Sequence, residues 1–301
     1  MITEVRRTRV SIGLPVYNGE RYIRQALDSV LAQTFAEYEL VISDNASTDE
    51  TEMICREYAE RDERVRYFRN RENLGAAANY NRAFRLSNGE YFKWLAADDV
   101  LHRHFLQRCV EALGAHPDAV LAYPRARCID EHGNMFLDAD DGGHMHWQPR
   151  ASDRFRQLLD ESPWRVLFIF GLIRADALAA TRLIGNFLGS DCNLVAELAL
   201  RGSFHEVSER LSFIRLHPDS SSWHQQRTRE RAYFFDPRIR GRLALAVSRQ
   251  RRYFEYFRSI LRSDLPAAQK LALVAHNAFR PLRRLPRLPR PRRDAEEREA
   301  A

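Results

Sequence analysis

The chain has 301 residues, of which 45% are hydrophobic and 29% charged, so a disordered protein is excluded and one large α/β domain or two modest ones fit. The formal charge of +6 is local: residues 280–293 hold seven arginines and no acid, leaving the remainder near −1. Cys55, Cys109, Cys128 and Cys192 show no CxxC spacing, which predicts reduced cytosolic thiols. The first ten residues are charged rather than apolar, so no secretory leader is expected, and the longest apolar run, 166–173, is too short to span a bilayer.

In chain order, residues 10–16 read as a strand, followed by a helix with Ile23, Leu27, Val30 and Leu31 on one face. Residues 38–43 form a second strand. Ser47-Thr48-Asp49-Glu50 then starts a helix, with a capping oxygen and acids in the first turn. A third strand at 65–68, a helix at 75–86 and a fourth strand at 90–97 complete a βαβ series, which predicts a mainly parallel sheet. Beyond it, residues 119–123 and 166–173 read as strands, 192–200 as a helix closed by Gly202, and 204–216 as one or two strands. Residues 138–146 read as a polar loop. From residue 226 the chain turns helical and Arg-rich, and Pro281, Pro286, Pro289 and Pro291 preclude a regular helix at the end.

Chemistry concentrates at the strand ends. The fourth strand runs into Asp98 and Asp99, two carboxylates that repel unless a cation or a donor network offsets them. A divalent ion carrying substrate phosphates is the usual solution, and strand ends are where open α/β sheets bind ligands. The first turn, Gly13 through Gly19, is neither GxGxxG nor a Walker loop; Pro15 fixes its exit and Tyr17 is placed to lie against a base. Asp44 and Asn45 end the second strand, where they either meet a heterocycle or ribose edge or merely turn the chain. Asp49 reads as a helix cap. Asn73, Gly75 and Asn79 bracket small residues at a helix start, suited to a phosphate or sugar or to close helix–sheet packing.

Together VSIGLPVYNGERYIRQALDSVLAQTFAEYELVISDNASTDET, then NLG, then an apolar strand ending ADD, resemble the family 2 nucleotide-sugar glycosyltransferases of GT-A fold. The resemblance is close over residues 8–115 and thinner to residue 220. It implies a Rossmann-type, mainly parallel sheet flanked by helices, with a nucleotide-binding half at 8–115 and an acceptor half at 116–225. A helical extension at 226–279 and an Arg/Pro tail at 280–301 would follow.

The same resemblance implies that Pro15, Val16 and Tyr17 form the nucleoside turn, Asp44 and Asn45 contact the base, and Asp98 lies near the ribose. Many relatives have two aspartates where Asp44 and Asn45 stand. Asp99 would ligate Mn²⁺ or Mg²⁺, with the family's leading aspartate replaced by Ala97 or Ala96. Arg215-Leu216-His217 resembles a late Arg-x-His in which His217 completes the metal or diphosphate site. Asp191 matches the second acidic motif, with Ser190 in place of Glu. It would be the general base of an inverting transfer, capping of its helix being the alternative. Glu197 on the same helix reads as structural. Asp138-Ala139-Asp140-Asp141 is a literal DxD without a preceding apolar strand and is set aside as a decoy. Trp164, Arg174, Trp223 and His224 fit an acceptor pocket or simple packing.

The implied reaction moves a sugar from a nucleotide-diphospho donor to a glycan or lipid-linked acceptor in polysaccharide or cell-envelope synthesis. It would take place in the cytoplasm, with peripheral contact to an anionic membrane surface through the basic tail and the amphipathic stretch before it. Nucleic acid is the less favoured partner of the tail. Two rivals stay open. A nucleotidyltransferase or nucleotide-sugar pyrophosphorylase would want a basic Gly-rich loop after the first strand. A non-catalytic nucleotide- or nucleic-acid-binding protein would rely on the tail.

Overall fold

The computed structural model describes residues 8–139, 148–160, 165–218, 234, 236–237 and 241–279. Its first half alternates strand and helix: β1 (Val10–Val16), α1 (Ile23–Leu31), β2 (Tyr38–Asp44), α2 (Thr51–Arg61), β3 (Val65–Arg69), α3 (Ala76–Arg85) and β4 (Tyr91–Trp94). Then come β5 (Val100–Leu101), α4 (Phe105–Ala115), β6 (Ala119–Ile129), β7 (Met135–Asp138) and α5 (Ala151–Asp160). A 3₁₀ helix (Arg165–Phe170) leads into β8 (Leu172–Arg174), α6 (Ala175–Ala179), α7 (Ser190–Ala199) and β9 (Ser203–Arg215). Two helices close the series, α8 (Gly241–Arg262) and α9 (Ala267–Phe279).

One sheet runs β3-β2-β1-β4-β8-β6-β9-β5, with β7 paired to β6. The pairings among β3, β2, β1 and β4 are all parallel, and every residue of β1 and β2 is buried, as strands covered on both faces should be. β8 enters antiparallel between β4 and β6, so the second half is mixed. One face of the sheet packs on α1, α2 and α4 through Leu27, Ile54, Phe105 and Leu113. The other packs on α3, the 3₁₀ helix and α7 through Ala77, Phe168, Leu194 and Leu198. A third cluster of Phe155, Ala196, Tyr256, Ile260 and Leu273 fixes α8 and α9 to the back of α7.

Three sequence expectations are corrected. The run 166–173 is mostly a 3₁₀ turn rather than a strand, with Phe168 and Ile169 dipping into the core; length and apolarity alone cannot separate the two. Gly171 makes the change of direction possible, because a Cβ there would lie 2.7 Å from the Ala122 carbonyl oxygen. The strand at 119–123 continues to Ile129 and pairs with 203–215, which is one strand as the reading of one or two allowed, with shifts of register along the pairing. The fourth strand ends at Trp94, so residues 95–99 are a turn. Residues 140–147, Trp164, Trp223, His224 and the Arg/Pro tail lie outside the described residues. All four cysteines are free thiols, and burial pushes those of Cys109 and Cys128 up to about 12.

Candidate active site

The turn after β1 and the turn after β2 are laced together. The N–H of Asn18 donates to Ser47 Oγ at 3.0 Å, that of Gly19 to Thr51 Oγ1 at 2.8 Å, and that of Glu20 to Asp49 Oδ2 at 3.1 Å. In return the Thr48 N–H donates to Asn18 Oδ1 at 2.9 Å and the Glu50 N–H to Glu20 Oε2 at 2.9 Å. Asn18 and Ala46 hold left-handed backbone, with φ of 52° and 63°, a cost that this lattice offsets. Asp49 serves both turns: burial alone would raise its carboxyl, but hydrogen bonds from Thr51 and the Glu20 N–H hold it below the ordinary value. Tyr17 stands on this frame half exposed, free to meet a flat ring, while Pro15 and Val16 are buried beneath it.

Asp44 and Asn45 point inward. Asp44 is fully buried and accepts from the Tyr67 hydroxyl at 2.6 Å and the Ser47 N–H at 2.9 Å, with Arg69 at 3.4 Å. Asn45 Nδ2 donates to Asn73 Oδ1 at 2.7 Å, and Asn45 Oδ1 accepts from Asn70 Nδ2 at 2.8 Å and the Leu74 N–H at 2.9 Å. The amide therefore shapes the Asn73-Leu74-Gly75 turn, where Gly75 supplies a φ of 82°. Asn79 is also occupied internally, donating to the Ser43 carbonyl at 2.7 Å and accepting from Ser43 Oγ at 2.7 Å. These residues position the backbone of the turns after β2 and β3. Tyr67 and Asn70, which hold Asp44 and Asn45, were not singled out from the sequence; their offset from a strand end gives no signal without the pairing of β2 with β3.

Pairing of β5 with β9 returns Arg215 and His217 to the Asp98–Asp99 turn. The Arg215 N–H donates to Asp99 Oδ1 at 2.9 Å, its Nε to the Asp98 carbonyl at 2.9 Å, and its other nitrogens to Gln25 Oε1 at 2.6 Å and the Asp130 carbonyl at 2.8 Å. The guanidinium also lies over the Tyr22 ring at 4.7 Å. His217 is buried with Nε2 3.1 Å from Asp98 Oδ2, while its Nδ1 is buried without a partner. Burial first, and then the charge of Asp98, raise the Asp99 carboxyl well above the ordinary carboxylate range. Surplus negative charge, two hard oxygens and an orphaned imidazole nitrogen together fit a divalent cation. Among the described residues no three acidic, His or Cys side chains are gathered to cage an ion by themselves, so substrate oxygens would complete its shell.

Asp191 lies in the first turn of α7, where its Oδ1 accepts from the N–H of Cys192 at 2.8 Å. Tyr80 connects it to the other carboxylates: burial raises the phenol pKa, and the charges of Asp98, Asp99 and Asp191 raise it further. Arg174 donates to the Ala119 and Leu113 carbonyls at 2.8 Å, and Glu197 is buried beside Arg201. Asp138 ends β7, paired with Arg127 and Arg210.

A family model described as "Glycosyl transferase family 2" matches residues 11–179, more than half of the chain. An uncharacterized glycosyltransferase of Rickettsia felis is 37% identical over 129 residues, which are 42% of this chain and 21% of the relative. Chondroitin synthase of Escherichia coli is 34% identical over 126 residues, 42% of this chain and 18% of the relative. The chain therefore matches only a small part of the length of these proteins. Among solved structures, Staphylococcus aureus TarS residues 1–349 in complex with UDP superimposes with a TM-score of 0.61 at 18% identity, over 90% of this chain and 72% of that one. The mannosyltransferase PcManGT from Pyrobaculum calidifontis, in complex with GDP-Man and Mn²⁺, gives 0.54 at 19% identity over 91% and 81%. At such identities the likeness establishes the fold, a GT-A sheet flanked by helices.

Proposed function

The chain belongs to glycosyl transferase family 2, and we propose that it moves a sugar from a nucleotide-diphospho donor to a hydroxyl of a glycan or lipid-linked acceptor in cell-envelope or polysaccharide synthesis. The observation that carries this reading is the acidic turn after β4, where the Arg215 N–H donates to Asp99 Oδ1, the Arg215 side chain holds the Asp98 carbonyl, and His217 Nε2 lies 3.1 Å from Asp98 Oδ2. Complexes of the fold neighbours with UDP, UDP-GlcNAc and GDP-Man support a donor of this class.

In this reading the nucleoside rests on the laced turn at Pro15, Val16 and Tyr17, against the wall held by Asp44, Asn45 and Asn79. The backbone at Asn73 and Gly75 faces sugar or phosphate. Asp98 meets the ribose. Asp99 and His217 would hold Mg²⁺ or Mn²⁺, which when bound supplies positive charge against the diphosphate. Asp191 takes the proton from the acceptor hydroxyl as its oxygen attacks the anomeric carbon; the bond to the diphosphate oxygen breaks on the opposite face, so the configuration inverts. Residues 1–225 form the transferase unit and 226–279 an extension that braces α7 through Tyr256, Ile260 and Leu273. Such a reaction belongs at the cytoplasmic side of a membrane carrying its acceptor.

The test is a panel of UDP-, dTDP-, GDP- and CDP-sugars, with Mn²⁺ or with EDTA, reading thermal shift and released nucleotide. One donor should stabilise the protein in a metal-dependent way, and Asp99→Asn should abolish that response without unfolding the chain. No response to any donor from folded protein overturns the reading.

A further inference from the structure

The two C-terminal helices turn their apolar residues outward as well as inward. On α8, Val247, Phe254 and Leu261 are 58%, 61% and 61% exposed. They stand seven residues apart, so they drift by only about 20° per step and share one face. Tyr256 and Ile260 occupy the buried face with Ser248, Glu255 and Ser259. The exposed flank carries Arg251, Arg258 and Arg262. Arg251 and Arg258 share the carboxylate of Glu255 with Arg182, each at 3.4 Å, and Arg262 has no ion pair among the described residues. On α9 the outward positions are Ala267, Ala268, Leu271, Ala272, Ala275 and Ala278, with Leu271 71% exposed. Lys270 Nζ donates to the Leu261 carbonyl at 3.0 Å, which brings the two outward faces together at the hairpin.

We propose that this hairpin lies on an anionic lipid surface, with Val247, Phe254, Leu261 and Leu271 entering the headgroup region and the arginine flank meeting lipid phosphates. Exposed apolar side chains beside a cationic flank are the physical signature of an interfacial helix. Charge favours lipid over a second copy of the chain: residues 241–279 hold seven Lys and Arg against two acids, and the seven arginines of 280–293 follow. Two such faces brought together would set like charges against each other. An anionic leaflet attracts each of those cations within a Debye length. The contact shares with the transferase reading only its purpose, presentation of a lipid-linked acceptor, and it is read without turnover, so the two fail separately.

Deleting residues 260–301 is not a clean test, because Ile260 and Leu273 are fully buried. The test instead floats the full chain with vesicles of phosphatidylcholine alone and of phosphatidylcholine mixed with phosphatidylglycerol, at low and high salt. The comparison is a Phe254→Ser, Leu261→Ser, Leu271→Ser variant, whose exposed positions leave the core intact. Wild type should float with the mixed vesicles only and lose binding in high salt. The variant should bind about tenfold less or worse, with its melting temperature and its thermal shift by a donor unchanged. Wild type that stays down with anionic vesicles, a variant that floats equally well, or equal binding to neutral vesicles overturns the proposal. A wild-type dimer that the variant dissolves, with neither form floating, overturns it in favour of a second copy.

Discussion

The main chain of Arg215 donates to Asp99 Oδ1, and the side chain of the same arginine returns to the carbonyl of Asp98. One residue at the end of β9 thus fixes both the backbone and a carboxylate oxygen of the acidic turn after β4. Its remaining nitrogens reach Gln25 on α1 and Asp130 in the β6–β7 turn, so three parts of the fold meet at the site.

Arg215→Ala should therefore lower both stability and activity. The guanidinium is 1% exposed, and removing it strands the Asp98 and Asp130 carbonyls. A loss of about 2–4 kcal/mol is expected, visible as a lower midpoint in urea. Arg215→Lys keeps a cationic donor in the side chain but cannot span the fork, and should fall between wild type and the alanine variant.

Asn45→Asp tests why this chain departs from the two aspartates common among its relatives. Asn45 Nδ2 donates to Asn73 Oδ1, so a carboxylate would face that oxygen with no proton to give. The Asn73–Gly75 turn should loosen, at a cost of about 1–3 kcal/mol, and donor affinity should fall with it. A variant with wild-type melting temperature and donor affinity would show that the amide contact is dispensable.

The βαβ order and the first four strands were legible in the sequence because they rest on local patterning, period-two strands and helix starts, although the fourth strand stops at Trp94, short of the adjacent acids. What Asp44 and Asn45 do was not. Both look like ligand contacts at a strand end, yet their polar atoms are occupied by Tyr67, Asn70 and Asn73, partners fixed only when β2 pairs with β3. Asn18 and Ser47 show the same limit, since nothing local says that two turns 29 residues apart share hydrogen bonds. The 3₁₀ turn at 165–170 was missed because a short apolar run has no period to read.

Lys93 should give the protein a distinctive alkaline pH dependence. Its ammonium is 1% exposed, donates to the Phe170 carbonyl at 2.5 Å and the Trp94 carbonyl at 3.1 Å, and lies 4.2 Å from the Phe105 ring centre. Burial lowers its pKa from 10.5 to about 8. For a depressed lysine the contribution to stability is present above the unfolded value and lost as pH falls through the folded one. This group should therefore make stability climb between pH 8 and 10.5, by ~3 kcal/mol in all. Lys93→Met should remove the climb. Near neutral pH it should change stability little, because relief of the buried charge offsets two stranded carbonyls. Urea midpoints from pH 7 to 10.5 decide it; a climb that survives the substitution belongs to another group.

Gly189 ends the loop before α7 with a φ of 79°, and a Cβ there would lie 2.6 Å from Arg252 Cδ. Gly133 has a φ of 91° with nothing within 4 Å of its Cβ position. Both alanine variants pay the left-handed backbone, about 1–2 kcal/mol. Only Gly189→Ala also displaces a side chain and tilts the turn that carries Asp191. It should be the less stable of the two and the only one to lose turnover, which melting curves and a donor-hydrolysis assay on both variants would show.

Asp191→Asn separates general base from helix cap. Asp191 sits in the first turn after the Gly189 N-cap; asparagine keeps an acceptor for the Cys192 N–H but loses the charge at the helix N-terminus, so a purely structural role predicts a stability loss of about 0.3–1 kcal/mol and unchanged turnover. A general base predicts the same small stability loss with turnover down by about 10²–10⁴, because the amide cannot take the acceptor proton. The acceptor-dependent rate should collapse while donor binding, read by thermal shift, stays within about twofold, since the proposed nucleoside-binding residues lie around β1, β2 and α3. Loss of donor binding along with rate would place Asp191 on the donor side instead, and full activity would return it to the role of a cap.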